Sequence, residues 1–382
     1  MIYNRPEYWL AKTEIVVPYL TFSSPNSFTL AVGDATKHWD GTLEYSTDTS
    51  TWSAWDGTTT LSSATSGSDN VLYLRGTGNT KIGYYDEVNE EDYIPWTING
   101  TGVHCDGNIE NLLDYATVEA GRHPVMAEEC FGGLFMGCTA LITPPELPAT
   151  TLANSCYEEM FYGCTALTQA PTLPATTLAS GCYNDMFGKC TSLIKAPTLP
   201  ATTLASSCYH HMFEGCTSLT QAPALPATTL ADYCYSQMFN YCTSLTQAPA
   251  LPATTLASEC YSQMFWNCTS LTKSPALPAT TLASNCYSYM FWDCTSLTQS
   301  PALPATTLAS GCYWCMFKGC TSLKLSPTRT EEYTVEYRIP ITGTGTTATN
   351  ALTDMFASTG GTFTNTPEIN TTYYLSNTNT IV

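Results

Sequence analysis

Leu173–Cys190 reads LPATTLASGCYNDMFGKC, and with small edits this stretch recurs every 26 residues. The LPATTLA motif begins at Leu147, Leu173, Leu199, Leu225, Leu251, Leu277 and Leu303, and a C-x7-C pair follows each copy. A degenerate pair, Cys130 and Cys138, precedes the first. A fixed period of this size marks units that cannot bury their apolar side alone and do so by stacking on one another. The expectation is a solenoid of about eight coils, closed by a cap at each end.

Within one unit, Cys182, Met186 and Cys190 stand at i, i+4 and i+8, with Tyr183 and Phe187 beside them. This spacing predicts an apolar helical stripe over Ala179–Cys190. Thr176, Thr177 and Ser180 are candidate caps at its start. Gly163, Gly215 and Gly319 are candidate stops in other copies. The other half, Cys190–Ala205, is punctuated by Pro197 and Pro200, which lack an N–H for a ladder. It reads as a very short strand or an extended arc, with Leu193, Leu199 and Leu204 inward. Coils in contact through extended backbone would lie roughly 5 Å apart.

The candidate N-terminal cap is Cys105–Cys138, where the motif becomes CFGGLFMGC. At the other end, Glu332–Ile341 alternates as an edge strand does. Asp354-Met355-Phe356 repeats the Met–Phe pair after an insertion. Thr364–Val382 reads either as a loosely held tail or as a pairing strand.

Before the array, Tyr19–Phe22, Ser27–Val32, Thr42–Ser46 and Val71–Arg75 are β-rich runs separated by turn residues, which predicts a small β-sandwich. Trp52 and Trp55 cannot share a face of one regular strand, so one belongs to the core and the other is a candidate stacking platform. Asp86–Asp92 (DEVNEED) reads as a solvated linker rather than a calcium loop, since it has no Gly for the turn. The resulting division is 1–85 for the β domain, 86–129 for linker and N-terminal cap, 130–324 for the repeats, and 325–382 for the C-terminal cap and tail.

The chain has 382 residues, a formal net charge of −19 and only 12% charged residues. No basic patch is available to neutralise phosphates, which argues against nucleic acid and equally against an anionic membrane surface. The first 110 residues carry 15 acids and 5 bases, so the repeats are nearly uncharged. No apolar run is long enough for a spanning helix. Met1–Leu10 has no apolar core of a signal peptide. Another export route, retention in the cytoplasm, or incorporation into a particle all remain open.

Of the 18 cysteines, 16 fall on the repeat period. Eight residues along a helix separate two Cys by roughly 12 Å, too far for a disulfide within a unit. Buried free thiols are expected, with bridges between coils as the alternative. The spacing is not that of a zinc site, and no metal or other cofactor is expected. Cys315 occupies a variable slot and reads as a surface thiol.

Comparison of the copies shows where a partner would bind. The Pro-containing arc barely changes. One variable slot reads Tyr162, Gly188, Glu214, Asn240, Trp266, Trp292, Lys318; a second runs from Glu159 to Tyr289 and Cys315; a third includes Tyr233 and Glu259. Slots free to vary are not needed for internal packing and should face solvent. Trp266 and Trp292, with Tyr241, Tyr289 and Tyr233, are the candidate ligand-binding residues, because clustered exposed aromatics mark interaction surfaces. No catalytic residue is predicted. Glu158 and Glu159 form the only carboxylate pair in the array, and adjacent residues on a helix diverge.

The repeat, written AxxCYxxMFxGCTSLTxAPxLP, resembles the BspA-like bacterial leucine-rich repeat proteins over about residues 125–325. Met212-Phe213 and Cys216-Thr217-Ser218-Leu219 fall directly on that pattern. The 26-residue unit is longer than the family's usual one and carries an extra Pro after the Ala. This length is similar to repeats of gut bacterial surface proteins and of phage or prophage proteins, where a small β-domain like Leu43–Trp55 (LEYSTDTSTWSAW) precedes the array. The full expectation is therefore an α+β chain: an N-terminal all-β sandwich-like domain followed by a right-handed leucine-rich-repeat solenoid.

The resemblance implies recognition or adhesion rather than catalysis. The expected setting is a phage virion component (tail fibre, receptor-binding or head-decoration protein), with a bacterial cell-surface adhesin or a structural spacer as the alternative. The implied partners are a protein or glycan on a host cell and, through the N-terminal domain, other virion proteins. A fibre role brings with it a homo-oligomer such as a trimer.

Overall fold

The computed structural model describes residues 17–33, 39–84 and 93–382. The Asp86–Asp92 charge run and Met1–Leu10 lie outside the described residues. The described chain is mostly β, built of several small open sheets, with one α-helix, α1 (Asn111–Glu119).

The predicted N-terminal strands form as β1 (Leu20–Ser24), β2 (Thr29–Val32), β3 (Thr42–Ser46) and β7 (Asp69–Thr77). Between them lie β4 (Ser53–Trp55), β5 (Leu61–Ser62) and β6 (Ala64–Ser66); beyond them, β8 (Trp96–Asn99), β9 (Val103–Asp106) and β10 (Leu141–Thr143). One sheet runs β10-β9-β1-β7-β3-β4 with β6 beside β7, and a second runs β5-β2-β8. The strands β8 and β9 thus extend these sheets into residues that composition assigned to a linker and cap. Trp55 is the core member of its pair, 5.5 Å from Trp96 in an edge contact. Trp52 has its ring beneath the Arg75 guanidinium at 4.0 Å, so that face is occupied by a cation.

The repeats depart from the expected helices. The Cys-to-Cys segment of each unit is a ribbon of consecutive turns. Every fourth residue has positive φ: Ser207 and His211 at 53° and Gly215 at 66° in one unit, with equivalents in the others. Alternate N–H groups are then spent in two directions. His210, Met212, Glu214 and Cys216 donate to the carbonyls of Ser207, Tyr209, His211 and Phe213, closing turns within the unit. Tyr209, His211, Phe213 and Gly215 donate at 2.8–3.1 Å to Cys234, Ser236, Met238 and Asn240 of the next unit. A left-handed conformation costs about 1 kcal/mol at a non-glycine residue, and the ribbon offsets it by pairing every one of these donors. The four-residue turn period reproduces the i, i+4, i+8 pattern of Cys, Met and Cys, which is why the sequence reads as a helix.

Side chains follow the same register. Phe135, Phe161, Phe187, Phe213, Phe239, Phe265, Phe291 and Phe317 stack in one ladder, neighbouring rings 5.5–5.8 Å apart and within 9° of parallel. Tyr157 to Tyr313 stack alongside in a second, at 5.7–5.9 Å. All of these rings are buried. The proline arcs touch only through isolated parallel bridges, such as Thr203 to Thr229 and Gln247 to Lys273, which agrees with the extended arc expected there.

Both ends of the ladder are closed by rings turned edge-on. Phe22 and Trp96 meet Phe135 at 61° and 90°, and β9 pairs with β10 of the first unit. At the far end Phe356 supplies a last rung, 5.5 Å from Phe317, although 39 residues rather than 26 separate equivalent positions here. Tyr337 then meets Phe356 at 80°. A ring presented edge-on offers no face for a further parallel rung, so the stack stops.

The strand β13 (Tyr333–Arg338) is the edge expected from its alternation, in a sheet ordered β13-β15-β12-β14 with β12 (Lys324–Ser326), β14 (Gly360–Gly361) and β15 (Thr372–Ser376). Of the two readings of the final stretch, the pairing strand is the one found. β16 (Thr380–Ile381) runs parallel to β11 (Gln299–Ser300). Among the described residues no helix is long and apolar enough to cross a membrane.

All eighteen cysteines are free and buried. The second Cys of each unit has a specific task. Its thiol donates to the carbonyl of the preceding unit's Phe, as in Cys190 to Phe161 at 3.0 Å and Cys242 to Phe213 at 3.1 Å. Cys315, expected at the surface, is 3% exposed, although longer side chains in the same slot, such as Gln263 and Tyr289, stay half-buried. Burial raises the thiol pKa values, that of Cys190 to about 12. A thiol-specific disulfide reagent at pH 8 is therefore expected to titrate essentially no cysteine in the folded protein and all eighteen after denaturation. Rapid native labelling of several thiols would contradict this packing.

Candidate binding face

The turn ribbon decides which variable positions meet. In a strand or helix, adjacent side chains point apart. Here a positive φ at the second of two neighbours throws both to the same side. His210 and His211 show it directly: their rings lie 4.0 Å apart and nearly parallel. The premise that adjacent residues of a unit diverge, used above for Glu158 and Glu159, does not hold on this backbone. Glu158 itself is held by the Tyr93 hydroxyl at 3.1 Å and the Asn184 amide at 2.6 Å.

Trp266 and Trp292 occupy the same slot in successive units and stack at 4.9 Å and 9°. Tyr241 closes on Trp266 at 5.7 Å, and Tyr289 on Trp292 at 5.3 Å. Trp314, which slot comparison did not single out, continues the row 5.0 Å from Tyr289. Its slot reads Glu158, Asn184, His210, Ser236, Ser262, Ser288 in the other units; that variability was the available signal. On a helix the slot would have pointed elsewhere. The Lys318 ammonium lies 5.1 Å from the Trp292 ring.

Four of the five predicted residues therefore form one continuous aromatic ribbon. Tyr233 does not join it; it is 39% exposed, and its hydroxyl donates to Glu259 at 3.0 Å. The indoles are half-buried rather than fully solvated, because each ring covers the next, while Tyr241 remains 41% exposed. The ribbon runs along the stacking direction, with faces together at Trp266–Trp292 and Tyr289–Trp292 and tilted contacts at Tyr241–Trp266 and Tyr289–Trp314.

The same slots carry a polar cluster two to four units earlier. Asp185 and His211 hold the slot of Tyr289, and Glu214 holds that of Trp266. His211 Nδ1 lies 3.2 Å from Glu214 and 3.5 Å from Asp185. Burial alone would lower the pKa of His211, but its bonds to Asp185 and Glu214 outweigh it and raise the value to about 9. Burial and the neighbouring His211 charge push His210 down to about 4. Farther round the unit, the proline arcs around Pro197 and Pro223 part to leave a groove of about 670 Å³. It is bordered by Leu199, Pro200 and Ile194; Ile194 is 59% exposed where most units have Thr.

Comparison with family models, with curated proteins and with solved structures finds no match.

Proposed function

We propose that the chain is a non-enzymatic recognition protein. In this reading the stacked array is a right-handed leucine-rich-repeat solenoid of the BspA-like kind, and the N-terminal β domain attaches it to a larger assembly. The observation that carries the proposal is the ribbon Tyr241–Trp266–Trp292–Tyr289–Trp314. Stacked Trp and Tyr are the residues that concentrate binding energy at interfaces. Each half-buried indole combines an N–H donor with a broad apolar ring, which suits a protein surface. A sugar would need open ring faces, and here neighbouring rings cover them; a protein on the host surface is therefore favoured over a glycan. The net charge of −19 and the scarcity of basic residues speak against nucleic acid. The setting proposed is a phage virion, as a tail fibre, receptor-binding or head-decoration protein, acting as a homo-oligomer such as a trimer. A bacterial surface adhesin is the second setting for the same face.

Competition for binding to intact host bacteria tests the reading. The pair Trp266→Ala and Trp292→Ala is expected to weaken binding at least about 30-fold, the cost of one interface hot spot, with the cooperative unfolding transition retained. Binding unchanged by both substitutions would leave the array as a spacer that only sets a distance.

A further inference from the structure

We propose that Asp185, His210 and His211 form a binding site for one divalent transition-metal ion of the zinc type, with the Glu214 carboxylate alongside. One potential ligand atom from each of the three residues lies within 4.8 Å of the other two. Zinc holds its donors at about 2.0–2.2 Å, so small side-chain rotations bring all three atoms onto one ion. The set joins two units: Asp185 comes from one, and His210 and His211 from the next. Two imidazoles and a carboxylate match the nitrogen and oxygen ligands of zinc and its neighbours, not those of calcium or magnesium.

Two further observations point to an ion. The Nδ1 of His210 is engaged by the Asn184 side-chain carbonyl at 3.0 Å. A ring N–H donated there leaves Nε2 with its lone pair free, which is the second contact that metal-bound histidines ordinarily make. Asn184 is in turn fixed by Glu158, so the ring is oriented through two residues. The Nε2 of His211 is buried and has no hydrogen-bond partner. A buried ring nitrogen without a partner is costly unless something occupies it. The convergence depends on the turn ribbon, since only the positive φ of His211 sets the two imidazoles side by side. Three protein donors with Glu214 beside them leave the ion's remaining position to Glu214 or to an outside group.

The array supplies its own controls. The unit of Cys234 carries Ser236 and Gln237 in the two histidine slots. His210→Ser with His211→Gln therefore writes one unit's sequence into another, and Asp185→Gln does the same for the acid. Tag-free, reduced, metal-stripped full-length protein is titrated with Zn²⁺ by calorimetry and with Co²⁺ by visible absorption. One equivalent is expected to bind, with cobalt ligand-field bands and no thiolate charge-transfer band. The histidine pair is expected to lose about 100-fold or more in affinity, and Asn184→Ala roughly 10-fold through the freed ring. Absence of binding at millimolar metal would overturn the site. So would a thiolate band, or a titration unchanged both in the histidine pair and in Asp185→Gln.

Discussion

Phe239→Ala is expected to cost about 3–5 kcal/mol of folding free energy, the range for deleting a buried Phe. Phe239 is wholly buried and stacks on both sides, on Phe213 and on Phe265, at 5.7 Å in each direction. Losing the ring removes two offset-stacked contacts, each worth roughly 0.5–1.5 kcal/mol beyond burial, and leaves a hole that the backbone on either side cannot close. The units above and below are tied to this one by N–H to carbonyl bonds at fixed register. Collapse into the hole would break them. The same change at Phe363, only partly buried and beyond the final rung, should cost clearly less. Denaturant unfolding of the two variants checks this. A loss below about 1 kcal/mol at Phe239 would mean that the ladder is not what holds neighbouring units together.

Removal of Leu225–Ala250, one 26-residue unit, is expected to leave a folded, shorter protein. Ala224 would then join Leu251 in the same local sequence, and the unit of Phe213 would meet that of Phe265 with every donor and ring in register. In a quasi-one-dimensional array, stability is close to a sum over units and their interfaces, so the loss is one increment of that sum. Removal of Leu225–Gln237 alone is expected to abolish the single cooperative transition. It brings proline arc against turn ribbon at the junction, and the N–H groups that Ser207, Tyr209 and His211 now donate forward, to Asp232, Cys234 and Ser236, lose their carbonyls. Near-ultraviolet circular dichroism of the stacked tyrosines, with denaturant titration, distinguishes the two deletions. Equal stability of both would show that register between units is unimportant.

Which residues are buried was legible from the 26-residue period alone. Cys, Tyr, Met, Phe and Leu recur at fixed places because each unit must hide the same side of the next, and those side chains are the buried ones. The positions where copies differ were legible too, and among them the expected neighbours Trp266, Trp292, Tyr241 and Tyr289 lie in contact. Tyr233 stands apart from the row and Trp314 joins it because both positions depend on where a side chain points, which a turn ribbon sets differently from a helix.

An apolar period of four fits a helix and a chain of turns alike. What separates them is the destination of every second N–H. A helix keeps those donors to itself, whereas here they reach the carbonyls of the next unit. No single unit contains that partner, so its sequence could not state the choice. The stack made it, and with it came the left-handed residues that align the indoles and bring His210 beside His211.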